Sequence, residues 1–154
     1  MILSPEQISN LIKTLKGKKI VLVGGCFDVI HPGHIIFLEK AKEQGDVLVV
    51  LLESDEAVRK IKGIKRPYHN QNDRAQVLSS LKSVDYVVML PLFKSDSSYE
   101  ELIKKIKPDM ICATSGYGDT AHHERIAKKI DAKIKFVTRK IGNHSTSRIL
   151  TYRG

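Results

Sequence analysis

Six consecutive aliphatic residues, Val47-Leu48-Val49-Val50-Leu51-Leu52, constrain this chain more than any other stretch of it. A strand with one wet face alternates apolar and polar side chains. This one does not, so both of its faces must be covered, as in a parallel sheet layered between helices. The rest of the chain supplies the layers. Apolar runs at 19–23, 84–90, 110–113 and 134–137 alternate with helical patterns at 35–42, 54–61, 70–82, 99–106 and 121–130. In the 70–82 segment Ala75, Val77, Leu78 and Leu81 form the apolar set, and Pro108 stops the 99–106 helix. This alternation predicts an α/β fold: an open parallel five-stranded sheet with helices on both faces and right-handed crossovers. Ser4-Pro5-Glu6 offers a cap, a first-turn proline and an acidic first turn, so residues 1–17 read as an N-terminal helix ahead of an α/β core at 18–154. Without repeats, low-complexity stretches or a linker, residues 1–154 read as one domain.

Composition narrows the function classes. Hydrophobic residues make up 42% of the chain, enough to fold. No apolar stretch approaches the ~20 residues of a membrane span, and the first 18 residues lack the apolar centre and cleavage site of a signal peptide. Cys26 and Cys112 are too few for a disulfide framework, so they read as free thiols of a cytoplasmic protein. Cys26 has no neighbouring base to make it a nucleophile. The net charge of +9 is spread over many segments, and there is no Trp for stacking on bases. Small polyanions are therefore the expected partners, and neither nucleic acid nor a membrane is.

The chemistry concentrates in residues 24–34, Gly-Gly-Cys-Phe-Asp-Val-Ile-His-Pro-Gly-His. A strand ends there, a glycine turn follows, and a helix opens with two histidines in its first turn. Helix openings carry unpaired N–H groups and the positive end of the dipole, which suits phosphate. His31 and His34 are three residues apart and share a face. Pro32 suits the first helical position, and Gly33 lets a ligand approach the backbone. Imidazoles donate hydrogen bonds to phosphate oxygens and take charge beside an anion. Zinc is the weaker reading, because no third ligand stands nearby in the sequence.

Gly25-Cys26-Phe27-Asp28 followed by His31-Pro32-Gly33-His34 resembles the signature of the cytidylyltransferase-like nucleotidyltransferases. The resemblance implies a Rossmann-like core in which the paired histidines hold nucleotide phosphates through the transition state. It extends to a basic loop broken by glycine and proline, Lys62-Gly63-Ile64-Lys65-Arg66-Pro67-Tyr68-His69, and to Arg74 opening the next helix. By that resemblance His31, His34, Lys62 and Arg74 are catalytic and act on phosphates, while Arg66, Tyr68 and His69 contact the acceptor. Gly25, Cys26, Phe27, Asp28 and Gly33 join the nucleotide site. Asp28 either orients the motif, contacts a metal-bound water or closes the turn through hydrogen bonds. Near the C-terminus, Ser145-Thr146-Ser147-Arg148 is similar to the family's Ile-Ser-Thr-Thr-Lys-Ile phosphate motif, with His144 in place of its leading apolar residue.

Within the family the chain most resembles the heptose-1-phosphate adenylyltransferase branch and next the glycerol-3-phosphate cytidylyltransferase branch. One loop departs: Ala113-Thr114-Ser115-Gly116-Tyr117-Gly118-Asp119 stands where the first branch has a Lys-Gly-Gly-Asp-Tyr type of loop. Gly116 and Asp119 are its candidate nucleotide contacts, and His122 and His123 read as surface residues. The implied reaction moves a nucleoside monophosphate from ATP or CTP to a phosphorylated small molecule, with Mg²⁺ on the phosphates and no dedicated protein metal site. A sugar phosphate adenylyltransferase leads. A cytidylyltransferase on an alcohol phosphate, an FMN adenylyltransferase and a catalytically silent nucleotide-binding module remain as alternatives, and a homodimer is allowed.

Overall fold

The computed structural model describes residues 1–116 and 120–139. In chain order it contains β1 (Ile2–Leu3), a 3-10 turn (Pro5–Gln7), α1 (Ile8–Thr14), β2 (Ile20–Gly25), α2 (Pro32–Lys42), β3 (Val47–Leu52) and α3 (Asp55–Lys62). It continues with α4 (Gln71–Ser79), β4 (Tyr86–Met89), α5 (Asp96–Ile106), β5 (Met110–Ser115), α6 (Thr120–Lys129) and β6 (Lys133–Arg139). The sheet runs β1-β4-β3-β2-β5-β6 with every pair parallel. The expected α/β layering is present, with six strands rather than five. The extra strand corrects the N-terminal expectation: Ile2 and Leu3 pair with Val87 and Val88. The helical region starts only at Pro5, where Gln7 Oε1 accepts the Ser4 N–H at 2.8 Å. Two residues carry no periodicity, so an edge strand of that length is invisible to pattern reading.

Strand parity divides the core. Leu22, Val49, Leu51 and Val88 pack with Ile8, Leu11, Leu102, Ile103, Ile106 and Ile126, which covers one face with α1, α5 and α6. Val21, Val23, Leu48, Val50, Leu52 and Val87 pack with Phe37, Leu38, Ala41, Ala75 and Leu78, which covers the other with α2 and α4. All six residues of β3 are buried, as a strand sandwiched on both faces requires. Val77 does not join the expected apolar face of α4. It is 47% exposed, and Arg74, Ala75 and Leu78 are buried instead.

Three aspartates tie down the amino ends of the strands. Asp46 accepts the Lys19 N–H, Asp109 the Ile20 N–H and Asp85 the Leu48 N–H, each at 2.7 Å. Asp85 also accepts from Lys42 Nζ at 2.6 Å. At the opposite end the chain runs from β2 to β3 and β4 on one side, then crosses to β5 on the other. Such a switch point opens a crevice outside the carboxyl ends of the strands, and residues 24–34 lie there.

Candidate functional site

β2 ends in two glycines that the turn requires. A Cβ on Gly25 would stand 3.0 Å from the Phe27 ring, and one on Gly24 would stand 3.1 Å from the Tyr99 hydroxyl. Phe27 itself has φ +43°, a left-handed conformation that side chains rarely adopt. Its ring is buried, 5.3 Å from that of His34. The chain then enters α2 with His31 as N-cap and Pro32 at the first helical position. His31 therefore precedes the first turn that the sequence placed it in, and only His34 lies within it. The two imidazoles stack, centroids 3.8 Å apart and planes 26° from parallel.

Burial lowers the pKa of His34 to about 4, with His31 and the nearby Lys62 ammonium pushing the same way. His34 is thus neutral at pH 7 without a ligand. Its Nδ1 is buried and makes no hydrogen bond among the described residues. A polyphosphate placed beside the pair would supply negative charge that offsets this burial.

Asp28 is 3% exposed and joins the turn to the basic loop. Its carboxylate forms an ion pair with Arg66 Nε and accepts the backbone N–H groups of Tyr68 at 2.6 Å and His69 at 3.3 Å. Asp28 thereby ties the turn to the basic loop, by bonds that reach 38 to 41 residues along the chain. Arg66, expected at the acceptor, has its Nε on Asp28. Tyr68 is 68% exposed, with its ring edge-on to His69 at 5.0 Å. Lys62, at the end of α3, is exposed and close enough to act electrostatically on His34 and Cys26.

Arg74 takes a different task from the phosphate contact expected of it. It is 1% exposed and directs four N–H bonds at protein acceptors. Nε donates to the His69 carbonyl at 3.0 Å and Nη1 to the Cys26 carbonyl. Nη2 donates to the Glu53 carbonyl at 2.9 Å and to Asp55 Oδ1 at 2.7 Å. The guanidinium fixes three loops at the carboxyl ends of β2 and β3 rather than facing the crevice.

Burial pushes the Cys26 thiol up, partly offset by Lys62, which keeps it protonated and a poor nucleophile at neutral pH. Burial also raises the carboxyl of Glu53, against the pull of Arg74. Glu53 and Tyr99 are site neighbours that the sequence reading passed over. The available signal was position: Glu53 stands between the apolar strand and the Ser54 cap, where parallel sheets hold ligands.

Among the candidates, the structure brings together Gly25, Cys26, Phe27, Asp28, His31, Gly33, His34, Lys62, Arg66 and Arg74. Gly116 follows β5 with φ +82°. Asp119, His144, Ser145, Thr146, Ser147 and Arg148 lie outside the described residues, as do the side chains of His122 and His123. Among the described residues no group of three His, Cys, Asp or Glu side chains is placed to hold a metal, and no helix is long and apolar enough to cross a membrane.

The model of the cytidylyltransferase-like family matches residues 22–151. The chain is 44% identical over 147 residues to the bifunctional protein HldE of Aliarcobacter butzleri, covering 94% of this chain and 30% of that protein. It is 46% identical over 128 residues to HldE of Nitratiruptor, covering 81% and 27%. The chain thus spans about a third of the length of these relatives. A lipopolysaccharide core biosynthesis protein from Thermoplasma volcanium superposes with TM-score 0.64 at 29% identity, covering 80% of this chain and 96% of that one. A pantoate-beta-alanine ligase from Francisella tularensis, solved with β-γ ATP and β-alanine, superposes with TM-score 0.66 at 19% identity over 96% of this chain and 69% of that one. At that identity the likeness speaks for the fold alone.

Proposed function

Since the chain belongs to the cytidylyltransferase-like family, we propose that it transfers an adenylyl group from ATP to a heptose phosphate or a closely similar sugar phosphate, releasing pyrophosphate. The observation that carries this reading is the stacked His31–His34 pair at the start of α2, beside Lys62 and anchored through Asp28 to the basic loop. Identity to HldE proteins over 94% of the chain supports the choice of adenylyl group and acceptor class.

In this reaction an oxygen of the acceptor phosphate attacks the α-phosphorus of ATP. The bond from that phosphorus to the bridging oxygen of the β-phosphate breaks, and pyrophosphate leaves with the electron pair. The attacking group is already an anion, so no general base or covalent nucleophile is needed. Catalysis reduces to alignment and to charge placed where it develops. His31 and His34 donate to the transferring and leaving phosphates. His34 gains affinity for a proton as the polyanion arrives, because the negative charge offsets the burial that, with His31 and Lys62, lowers its pKa to about 4. Lys62 adds a positive charge at the mouth. Asp28, Arg66 and Arg74 hold the surrounding loops in place, and the family motif matched by Ser145, Thr146, Ser147 and Arg148 implies further triphosphate contacts. Magnesium would accompany the nucleotide and offset charge on its phosphates, since among the described residues no side-chain cluster is placed to hold it.

The test is pyrophosphate release from the purified chain with Mg²⁺, each nucleoside triphosphate in turn, and heptose 1-phosphate, glycerol 3-phosphate and FMN as acceptors. ATP with heptose 1-phosphate should be the most active pair. Release with CTP and glycerol 3-phosphate alone would move the assignment to the cytidylyl branch, and release with no pair would remove it.

A further inference from the structure

A cluster of unpaired cations gathers at the amino ends of β2 and β5, across the sheet from the histidines. Elsewhere Lys42, Arg66, Arg74 and Lys129 each hold a carboxylate. Lys13, Lys16, Lys18, Lys19 and Lys107 do not. Among the described residues none of their ammonium groups forms an ion pair or a hydrogen bond. Lys107 is distant in sequence, and the fold delivers it by setting β5 beside β2. All five lysines line one open cavity of about 800 Å³, within the size range of small-molecule sites. Ile12, Leu15, Ile20 and Ile106 give the same cavity an aliphatic wall. The turns that enter the two strands are stitched in both directions. The Ile20 N–H donates to Asp109 Oδ2 at 2.7 Å, and the Asp109 N–H donates to the Ile20 carbonyl at 2.9 Å. Gly17, at φ +82°, has open space where a Cβ would stand, so the backbone is bare there.

Two ordinary sinks for this charge fall short. Lys13 lies in the last turn of α1, and Lys107 caps the end of α5. Each helix end offers about half a negative charge. Asp109 is the one carboxylate in the lining. Together these offset roughly two of the five ammonium charges. The surplus, set against a low-dielectric wall, attracts an anion from solution. Lysines act as mobile point charges, and no arginine fork is present to select a single planar carboxylate. Such a rim suits a chain of phosphates. We propose that this cavity is a second anion site, taking an organic polyphosphate such as a nucleoside diphosphate. Its phosphates would lie on the ammonium groups and its organic part against Ile12, Leu15, Ile20 and Ile106. The site is separate from the histidine crevice and does not depend on the transferase reading.

Amide NMR of the full chain, titrated with ADP, reads the two sites apart. At low salt ADP should shift the amides of Gly17, Lys18 and Asp109. Those shifts should shrink at about 1 M salt, where screening is nearly complete. Adenosine, which lacks the phosphates, should leave them unmoved. The triple variant Lys13→Gln, Lys16→Gln, Lys107→Asn removes three exposed charges. Asn suits position 107, where φ is +48°. The variant should weaken ADP binding at these amides on the order of tenfold or more, the scale of lost charged hydrogen bonds. Shifts within 24–34 should persist in it. Arginine at the three positions should restore binding. If the variant does not fold, the salt and adenosine arms on the wild type still decide. ADP shifts confined to 24–34 overturn the inference. So do shifts at 17, 18 and 109 that adenosine reproduces or that survive unchanged in the folded variant.

Discussion

Replacing Arg74 by Ala separates two roles that the same residue could hold. A phosphate ligand would lose nucleotide affinity and leave the fold intact. The structure argues for the reverse. The guanidinium is 1% exposed and bonded to the carbonyls of Cys26, Glu53 and His69 and to the Asp55 carboxylate. Removing it strands those acceptors and leaves Asp55, whose side chain is 28% exposed, without its cation. Breaking a buried ion pair from one side costs about 3–5 kcal/mol. For a chain of this size that lowers the melting temperature by roughly 6–20 °C. Arg74→Lys keeps the charge but loses the planar fork that reaches several loops at once, so it should melt nearly as low. The assay is a thermal melt followed by far-UV circular dichroism at pH 7.5, paired with an ATP titration well below the melting range. Melting within about 2 °C of wild type, together with weakened ATP binding, would falsify the anchoring role and restore Arg74 to the phosphates.

Other expectations are simpler. His31→Ala and His34→Ala should each lower turnover on the order of ten- to a thousand-fold, the scale of one preorganised donor, with an unchanged circular dichroism spectrum; near-wild-type rates in both would take the histidines out of the mechanism. Acid should destabilise the ligand-free protein through His34. Its folded pKa of about 4 lies below the unfolded value of 6.5, so stability is full above pH 6.5 and falls as the pH drops toward 4. At pH 5 the loss from this one group is about 2 kcal/mol, and urea melts of His34→Gln should show correspondingly less acid sensitivity; identical pH profiles would count against it. Asp28→Asn weakens the bond to Arg66 and the acceptors for Tyr68 and His69. It should raise the ATP KM and speed proteolysis within 62–69, and an unaltered digestion pattern would argue that the loop is held by other contacts.

Most of the architecture was legible because it follows from side-chain pattern. Val47 through Leu52 could only be a doubly covered strand, and Ser54 and Asn70 announced their helices by cap chemistry: Ser54 Oγ accepts the Ala57 N–H and Asn70 Oδ1 the Asp73 N–H. The turn at 24–34 was legible for the same reason, since glycines, a proline and paired histidines stand in that order directly after an apolar strand. What escaped was set by tertiary partners. Val77 reads as core until Arg74 occupies the buried stripe of α4, and a buried arginine is unforeseeable when its partners are backbone carbonyls from three distant loops. The Asp28 bond to Tyr68 and His69 is likewise a long-range pairing that no local window contains.

The row formed by Asp46, Asp85 and Asp109 has an engineering consequence. These carboxylates satisfy strand N–H groups at the end of the sheet remote from the histidines, so the foundation and the workshop share almost no side chains. Loops above the sheet, such as 62–69, should therefore accept exchange for a new substrate while melting behaviour stays largely inherited from the floor. The same division makes a substitution at Asp109 a poor choice for altering specificity and a good reporter of how much instability the catalytic storey can bear.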